Sequence, residues 1–135
     1  MEEEGGRCDP VIQSYRDLRV WQDAMSLAEA CYSVTRAFPR EEMFGLTSQI
    51  RRAASSIAAN IAEGHGREST PSFIHSLRVA QGSLKELETH LYLSERVGLM
   101  PGSDCSPLLE SCGTLGRRLR TLIRSLQQRS GGTNQ

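Results

Sequence analysis

Arginine supplies fifteen of the sixteen basic side chains in this 135-residue chain, and the remaining one is Lys85. Guanidinium groups form planar, paired hydrogen bonds with carboxylates and phosphates, whereas lysine acts as a point charge. Two rows of bases at helical spacing are therefore candidate contacts for nucleic-acid phosphates. Each row taken alone is more simply explained by a solvated helix face. The rows are Arg78, Lys85 and Arg96, and then Arg117, Arg120 and Arg124.

The charge is unevenly distributed along a chain whose formal net charge is zero. Residues 1–9 carry four acids against Arg7, a balance of −3. Residues 101–135 carry two acids against five arginines, a balance of +3. A nucleic-acid-binding surface in a neutral chain therefore requires basic residues that cluster on one face. In an oligomer each copy would contribute such a cluster, which would raise the local density of positive charge.

The three histidines are candidate ligands of a di-iron site, which helical bundles often build from Glu-x-x-His pairs. That motif is missing, because the residues three positions before the histidines are Ala62, Ser72 and Leu87. Phosphate-binding and nucleophile-elbow motifs are also missing. We therefore expect no enzyme: no catalytic residue, no metal site and no cofactor.

The four cysteines form no C-x-x-C pair and have no histidine at zinc-ligand spacing. The acidic N-terminus lacks the apolar stretch of a secretory signal, and no apolar run reaches the ~20 residues that a membrane span requires. These features predict a cytoplasmic protein with free thiols packed as small apolar groups. The cysteines are Cys8, Cys31, Cys105 and Cys112.

Apolar residues spaced alternately three and four apart predict the helices that must position these side chains. The stripes indicate helices over residues 17–38, 41–63 and 70–97, and a fourth whose stripe runs over 108–126. Thr70 is expected as an N-cap before Pro71, the Gly64-His65-Gly66 run as a break, and Gly98 as a helix stop. The prediction is all-α: an up-down-up-down antiparallel four-helix bundle over 15–129, between a flexible acidic arm at 1–14 and a disordered tail at 130–135.

The two central helices carry apolar or small residues on a second face, which a monomeric bundle does not need. An apolar patch away from the core indicates a partner surface, although alanine and serine are also ordinary surface residues of helices. These positions are predicted to form a homo-oligomer interface. They are Ser55, Ala58, Ala59 and Ala62 on the second helix, and Val79, Leu93 and Val97 on the third.

The second helix also has a line of polar residues along one flank, at steps of three and four. We interpret this line as a structural network that fixes helix register, with Arg78 as a candidate partner of Glu63. Its members are Gln49, Arg52, Ser56, Asn60 and Glu63.

Four sequence blocks resemble the small four-helix-bundle proteins of 23S rRNA intervening sequences. They are YRDLRVWQ (15–22), FGLTSQIRRA (44–53), SIAANIAEG (56–64) and AQGSLKELET (80–89). The accessory variability determinant of diversity-generating retroelements is a related branch, which binds nucleic acid and a reverse transcriptase. The resemblance is closer to the intervening-sequence branch, and it implies a cytoplasmic bacterial bundle that assembles as a ring-like homo-pentamer.

Two functions remain open from the sequence. The first is a non-enzymatic oligomer that binds RNA or DNA through its arginine rows. The second is an oligomeric scaffold that binds a protein partner, such as a reverse transcriptase, without nucleic acid. No membrane partner is expected in either case.

Overall fold

The computed structural model describes the backbone of residues 12–133 and the side chains of residues 12–129. Within this range there are four α-helices and no strand: α1 (Arg19–Thr35), α2 (Leu46–His65), α3 (Thr70–Arg96) and α4 (Gly102–Thr133). Short 3-10 turns at Tyr15–Asp17 and Arg40–Glu42 precede α1 and α2. The all-α prediction is confirmed for the described residues.

Each helix packs against its neighbours in the chain, and α1 closes the bundle against α4. The diagonal pairs make no comparable contact. Short connections between packed neighbours make them antiparallel, so the chain forms the expected four-helix bundle. Its interior is filled by aliphatic side chains from the predicted stripes of α2, α3 and α4. The largest fully buried ones are Ile50, Ile57, Ile61, Leu77, Leu84, Leu87, Leu91, Leu115 and Leu119. The stripe predicted for the first helix was wrong: α1 buries Val20, Ala24, Leu27 and Cys31, and leaves Met25 and Tyr32 exposed.

Three helix starts differ from the sequence prediction. Helix α1 begins at Arg19 instead of residue 17, because Tyr15–Asp17 form a 3-10 turn, and it ends at Thr35 instead of residue 38. Helix α2 begins at Leu46 instead of residue 41, because Glu42 lies in a 3-10 turn and its Oε1 accepts a hydrogen bond from the Leu46 amide at 3.1 Å. The N-cap of α3 is Ser69, whose hydroxyl accepts from the Ser72 amide at 3.2 Å, so Thr70 is the first helical residue. Both caps satisfy amides that the first helical turn leaves unpaired.

Glycine has different roles at two predicted helix ends. Gly98 has a φ of +82° just after α3, as expected of a residue that stops a helix. Gly64 does not break α2, which continues through it to His65. A Cβ at position 64 would lie 2.5 Å from the Cβ of Ser76, so Gly64 permits a close approach of α2 and α3.

Helix α4 is longer than its apolar stripe, running from Gly102 to Thr133. It therefore includes residues 130–133 of the predicted tail. Among residues 12–129 the last core side chain is Leu126, and the side chains of residues 127–129 are exposed. The rest of the tail and residues 1–11 of the predicted arm lie outside the described residues.

Helix α1 is held to both neighbours by polar contacts. Arg118 of α4 donates from Nη1 to Oδ2 of Asp23 at 2.6 Å. Arg51 of α2 donates from Nε to the Thr35 hydroxyl at 2.9 Å, and its guanidinium stacks 4.5 Å from the centre of the Tyr32 ring. Guanidinium groups favour such paired polar and aromatic contacts, and these two fix the position of α1 along the bundle.

Candidate functional site

Arginines from both predicted basic rows meet in one groove between α3 and α4. Arg78 comes from α3, and Arg120 and Arg124 come from α4. The groove has a volume of about 270 Å³, and its other lining residues are Gln81, Ile123 and Gln127. All three arginines are exposed, and no carboxylate is among the described residues that line the groove. We call this site the arginine groove.

The local sequence explains why the arginine groove is basic. Residues 70–84, which supply its α3 side, contain no acidic residue. Residues 111–129, which supply its α4 side, contain five arginines and also no acidic residue. Like charges on one face repel one another, but exposure to water and salt keeps this repulsion small. A phosphate at this groove would meet guanidinium and amide donors from two helices.

The other bases of the two rows lie outside the arginine groove. Lys85 Nζ pairs with Glu88 Oε1 at 3.1 Å, and Arg96 lies 18 residues beyond Arg78, ~27 Å along the helix. Arg117 is exposed on α4, and its Nη2 donates to the Thr114 hydroxyl at 3.3 Å. The α3 row is therefore divided, whereas the α4 row presents a continuous exposed surface.

A second site is an apolar groove of about 600 Å³ between α1 and α2. All four residues predicted as the α2 part of an oligomer interface line it. On the opposite wall Tyr15 and Trp21 pack edge to face, with ring centres 5.3 Å apart. The charged residues Glu29 and Arg36 also line it. The full lining is Tyr15, Trp21, Met25, Ala28, Glu29, Tyr32, Arg36, Ser55, Ala58, Ala59 and Ala62.

The predicted interface residues differ in how accessible they are. Ala58 is 5% exposed within the single chain, so it packs under α1 and forms the floor of the apolar groove. Ser55 and Ala59 are exposed, and Ala62 is half-buried. The α3 residues Val79, Leu93 and Val97 are exposed but do not line this groove. The two predicted faces are therefore separate surfaces.

The predicted polar line on α2 makes one bond to α3. The hydroxyls of Ser56 and Ser83 are 2.9 Å apart, and Asn60 Nδ2 donates to the Ser56 carbonyl at 2.8 Å. The expected pairing of Glu63 with Arg78 is not formed. Instead Glu63 pairs with Arg67 at 3.3 Å, one helical turn later, while Arg78 lies in the arginine groove.

Phe44 is a candidate contact residue that the sequence analysis missed as a site. It is 93% exposed, in the connection between α1 and α2. It lines a polar groove of about 500 Å³ between α2 and α3, with residues that include Gln49 and Arg52 of the polar line and Glu86 of α3. Phe44 belongs to none of the apolar stripes that predict the core. A large apolar residue outside every stripe is the signal in the sequence that indicates an exposed contact residue.

The described cysteines are free and fully buried, as predicted. Burial raises the pKa of the Cys31 and Cys112 thiols from 9.0 to about 12, and Glu88 adds to the rise at Cys112. Burial also raises the pKa of Cys105, whose Sγ donates to the Leu91 carbonyl at 3.5 Å. These thiols stay protonated at neutral pH. Cys8 lies outside the described residues.

The histidines are also placed in the fold. The His65 ring packs edge to face on Phe73 at 5.7 Å, in the last turn of α2, where the sequence predicted a loop. His90 lies 3.4 Å from Glu86 and is largely buried, as expected of a packing histidine. Within residues 12–133, no cluster of three or more histidine, cysteine, aspartate or glutamate residues is placed to hold a metal ion. No helix in that range is long and apolar enough to cross a membrane.

The fold is that of a small antiparallel four-helix bundle. The family model described as 23S rRNA-intervening sequence protein matches residues 16–121, so the chain belongs to that family.

Among solved structures, a similar one covers most of the bundle. It is the 1.70 Å crystal structure of a protein of unknown function, from the S23 ribosomal protein family of Bacteroides thetaiotaomicron. At 23% identity it covers 77% of this chain and 97% of its own, with a TM-score of 0.70, and this likeness shows the fold. No curated protein matches the sequence.

Proposed function

We propose that this protein is a non-enzymatic nucleic-acid-binding module whose contact surface is the arginine groove. The observation that supports it is the meeting of Arg78 with Arg120 and Arg124 in one groove without a lining carboxylate. Lys85 and Arg96 lie outside this groove. Arg117 also lies outside it and lines a separate groove between α1 and α4, with Asp23 and Glu110.

The spacing along α4 suits a phosphate chain. Arg120 and Arg124 are four residues apart, ~6 Å at the helical rise, so both face the same side of α4 and can contact one phosphate strand. Gln81 and Gln127 add neutral hydrogen-bonding groups beside these charges. Phosphate contacts of this kind carry no base specificity, so binding is expected to be tolerant of sequence.

The salt dependence of binding tests the proposal. Fluorescence anisotropy with a labelled single-stranded RNA would compare the wild type with a triple variant, Arg78→Gln, Arg120→Gln and Arg124→Gln. A matched triple variant with the same charge change replaces exposed arginines outside the groove, Arg40, Arg67 and Arg96.

Each phosphate contact on a single strand contributes a slope of about −0.7 to the logarithm of affinity against that of salt concentration. The groove variant should therefore lose about two units of slope, and the control less than about half that amount. Equal effects of the two triple variants would exclude the arginine groove. Absence of wild-type binding at low salt would exclude the function.

A second proposed function, an oligomeric scaffold, is favoured by the apolar groove. Exposed Tyr15, Met25 and Tyr32 around an alanine floor leave apolar area that a partner would cover. The partner proposed is the chain itself, with five copies as the count that the family resemblance favours.

Light scattering after size exclusion measures the mass of the assembly and tests this second function. The protein is purified at low salt, and the ratio of absorbances at 260 and 280 nm reports bound nucleic acid. Ala59→Glu and Ala62→Glu together should reduce the mass to that of one chain, because unpaired charges at an interface are strongly unfavourable. Ala58→Glu is avoided because Ala58 is already buried within the chain. A wild-type monomer, or a double variant that keeps the wild-type mass, would refute assembly through this groove.

A further inference from the structure

We infer that the polar groove between α2 and α3 binds a base of a single-stranded nucleic acid, and that this base stacks on Phe44. This inference rests on the proposed nucleic-acid binding and deepens it, because it specifies a single strand and the path that the strand takes. The arginine groove holds phosphates of this strand, and the polar groove holds one of its bases.

Phe44 presents a bare aromatic side chain at the polar groove. Its exposed fraction is 93%, whereas the other exposed large apolar side chains of residues 12–129 reach at most 57%, at Val97. Unpaired bases stack on exposed aromatic rings, and this stacking depends little on which base it is. Phe44 therefore supplies the contact that the arginine groove lacks, one to a base.

The turn before α2 fixes the backbone at Phe44. The Gly45 amide donates to the Glu42 carbonyl at 2.9 Å, and Glu42 Oε1 accepts from the Leu46 amide at 3.1 Å. A Cβ at Gly45 would lie 2.7 Å from Glu42 Oε1, so the turn is closely packed on its inner side. A platform held in this way loses little freedom when a base stacks on it.

The polar lining of the groove suits the edge of a base. Gln49 and Arg52 are exposed, and within residues 12–129 their side chains have no hydrogen-bond or ion-pair partner. Glu86 supplies a carboxylate from α3, whose Oε2 lies 3.4 Å from His90. Base edges carry both donors and acceptors, which amide, guanidinium and carboxylate groups recognise. An apolar partner would bury these groups without hydrogen bonds, so the lining favours a base.

The two grooves differ in charge as the two parts of a nucleotide do. The arginine groove is lined by three arginines, with no carboxylate among its described lining residues. The polar groove has one guanidinium and one carboxylate, those of Arg52 and Glu86. Each phosphate carries a negative charge, whereas the bases are uncharged. The basic groove therefore suits phosphates, and the electrically balanced groove suits a base.

Three consecutive residues of α3 connect the two grooves. Gln81 lines the arginine groove, and the Ser83 hydroxyl is 2.9 Å from that of Ser56, which lines the polar groove. Gly82 between them is exposed, and a Cβ there would meet no atom within 4 Å. The surface of α3 is therefore low and open at this point. The crossing is about the width of one helix, ~10 Å, so a short strand reaches both grooves.

Unpaired bases can use this platform, whereas paired bases cannot. In a duplex the base faces are stacked on their neighbours and the edges are paired, so a base reaches an aromatic ring only if it is extruded. The arginine groove alone does not distinguish one strand from two. Phe44 therefore makes the protein selective for single strands.

Fluorescence anisotropy tests the stacking contact with a labelled RNA, used both as a single strand and annealed to its complement. Phe44→Ala should weaken single-strand binding by about ten-fold, within the range for one base stacked on an aromatic ring, and should change duplex binding less than about two-fold. Phe44→Trp should retain single-strand affinity, because indole also stacks on bases. The salt slope should stay at the wild-type value, because no phosphate contact is lost.

A matched control removes an aromatic ring elsewhere. Tyr92 is 54% exposed on α3 and lines neither groove, so Tyr92→Ala should change single-strand affinity less than about two-fold. Circular dichroism should show both alanine variants folded, since neither side chain is in the core. Equal losses from Phe44→Ala and Tyr92→Ala would overturn the inference, as would equal losses on the single strand and the duplex.

The path across α3 is tested by a bulky side chain at Gly82. Gly82→Leu should lower single-strand affinity, because the new side chain stands where the strand crosses. Thr89→Leu is the control, since Thr89 is exposed on the same face two helical turns further along, and it should leave affinity unchanged. Equal affinities of these two variants would exclude the path.

If the wild type binds RNA through the arginine groove and Phe44→Ala binds it equally well, the inference fails while the proposed function stands. A wild type that binds no RNA at low salt refutes both. A Phe44→Ala variant with a lower mass in sedimentation and unchanged RNA affinity would show that Phe44 contacts another protein chain, and it would overturn the inference.

Discussion

Two glycines inside helices should respond in opposite ways to the same substitution. Gly64 lies in α2 and Gly82 in α3, both with helical backbone and without a positive φ. Alanine is more favourable than glycine in a helix by about 0.5–1 kcal/mol. A Cβ at Gly82 meets no atom within 4 Å, so Gly82→Ala should raise the free energy of unfolding by about that amount.

At Gly64 the same gain is outweighed by steric overlap. The new Cβ would lie 2.5 Å from the Cβ of Ser76 and 3.1 Å from Cδ1 of Phe73. Ser76 Cβ is fixed to the α3 backbone, so relief requires the helices to move apart. Overpacking of this kind costs about 1–3 kcal/mol, and a cost near the middle of that range leaves a net loss of about 1 kcal/mol for Gly64→Ala.

Urea unfolding followed by circular dichroism, at one protein concentration, measures both changes as shifts in midpoint at constant slope. The double variant Gly64→Ala/Ser76→Gly removes the obstructing Cβ, so the two substitutions should be non-additive and partly compensate. A neutral or stabilising Gly64→Ala would refute the close approach of α2 and α3. Additivity in the double variant would show that Ser76 is not the obstacle.

Two further predictions concern contacts inside the bundle. The free-energy coupling between Asp23 and Arg118 is measured with Asp23→Asn, Arg118→Gln and the double variant. It should be about 0.5–1 kcal/mol and should fall at high salt, because both side chains are partly solvated. Zero coupling at low salt would show that this pair does not hold α1 to α4. Cys31 and Cys112 have a folded-state pKa of about 12 against 9.0 for an ordinary thiol, so the stability they contribute is intact below pH 9 and is lost as the pH rises from 9 to 12. With Cys8 replaced by serine, a maleimide at pH 7 should leave the native protein unmodified and should label it only after unfolding; rapid labelling of the native protein would contradict the burial.

The bundle could be predicted because helix periodicity is a local property. The stripes with Ile50, Ile57 and Ile61 and with Leu77, Leu84 and Leu91 specify which face is buried before any partner is known. Caps are less determined, because Ser69 and Thr70 both suit an N-cap and only the backbone decides between them.

The candidate sites could be predicted only in part. The α4 row and the α2 small residues were found because they share one helix face. The pairing of Arg78 with the α4 row, and of Tyr15 and Trp21 with α2, depends on which helices are neighbours and on their relative rotation. No pattern in the sequence distinguishes the two arginines that link helices, Arg51 and Arg118, from ordinary exposed arginines. The exposed side chain of Phe44 is distinguished only by lying outside every apolar stripe.

The carboxylate-free half of α4, in a chain of zero net charge, has a consequence for crowding on a long polyanion. At physiological salt, charges interact over about 8 Å. A phosphate strand is therefore attracted by the nearby arginine face, and the net charge of the whole chain has little effect on it. Neighbouring molecules on the same strand that touch away from the arginine face would meet surfaces with a net negative charge, because the whole chain sums to zero and the arginine face is positive. Copies that coat one strand side by side are therefore separated by the repulsion of these negative surfaces, and not by the mutual repulsion of positive faces that limits the packing density of strongly cationic proteins.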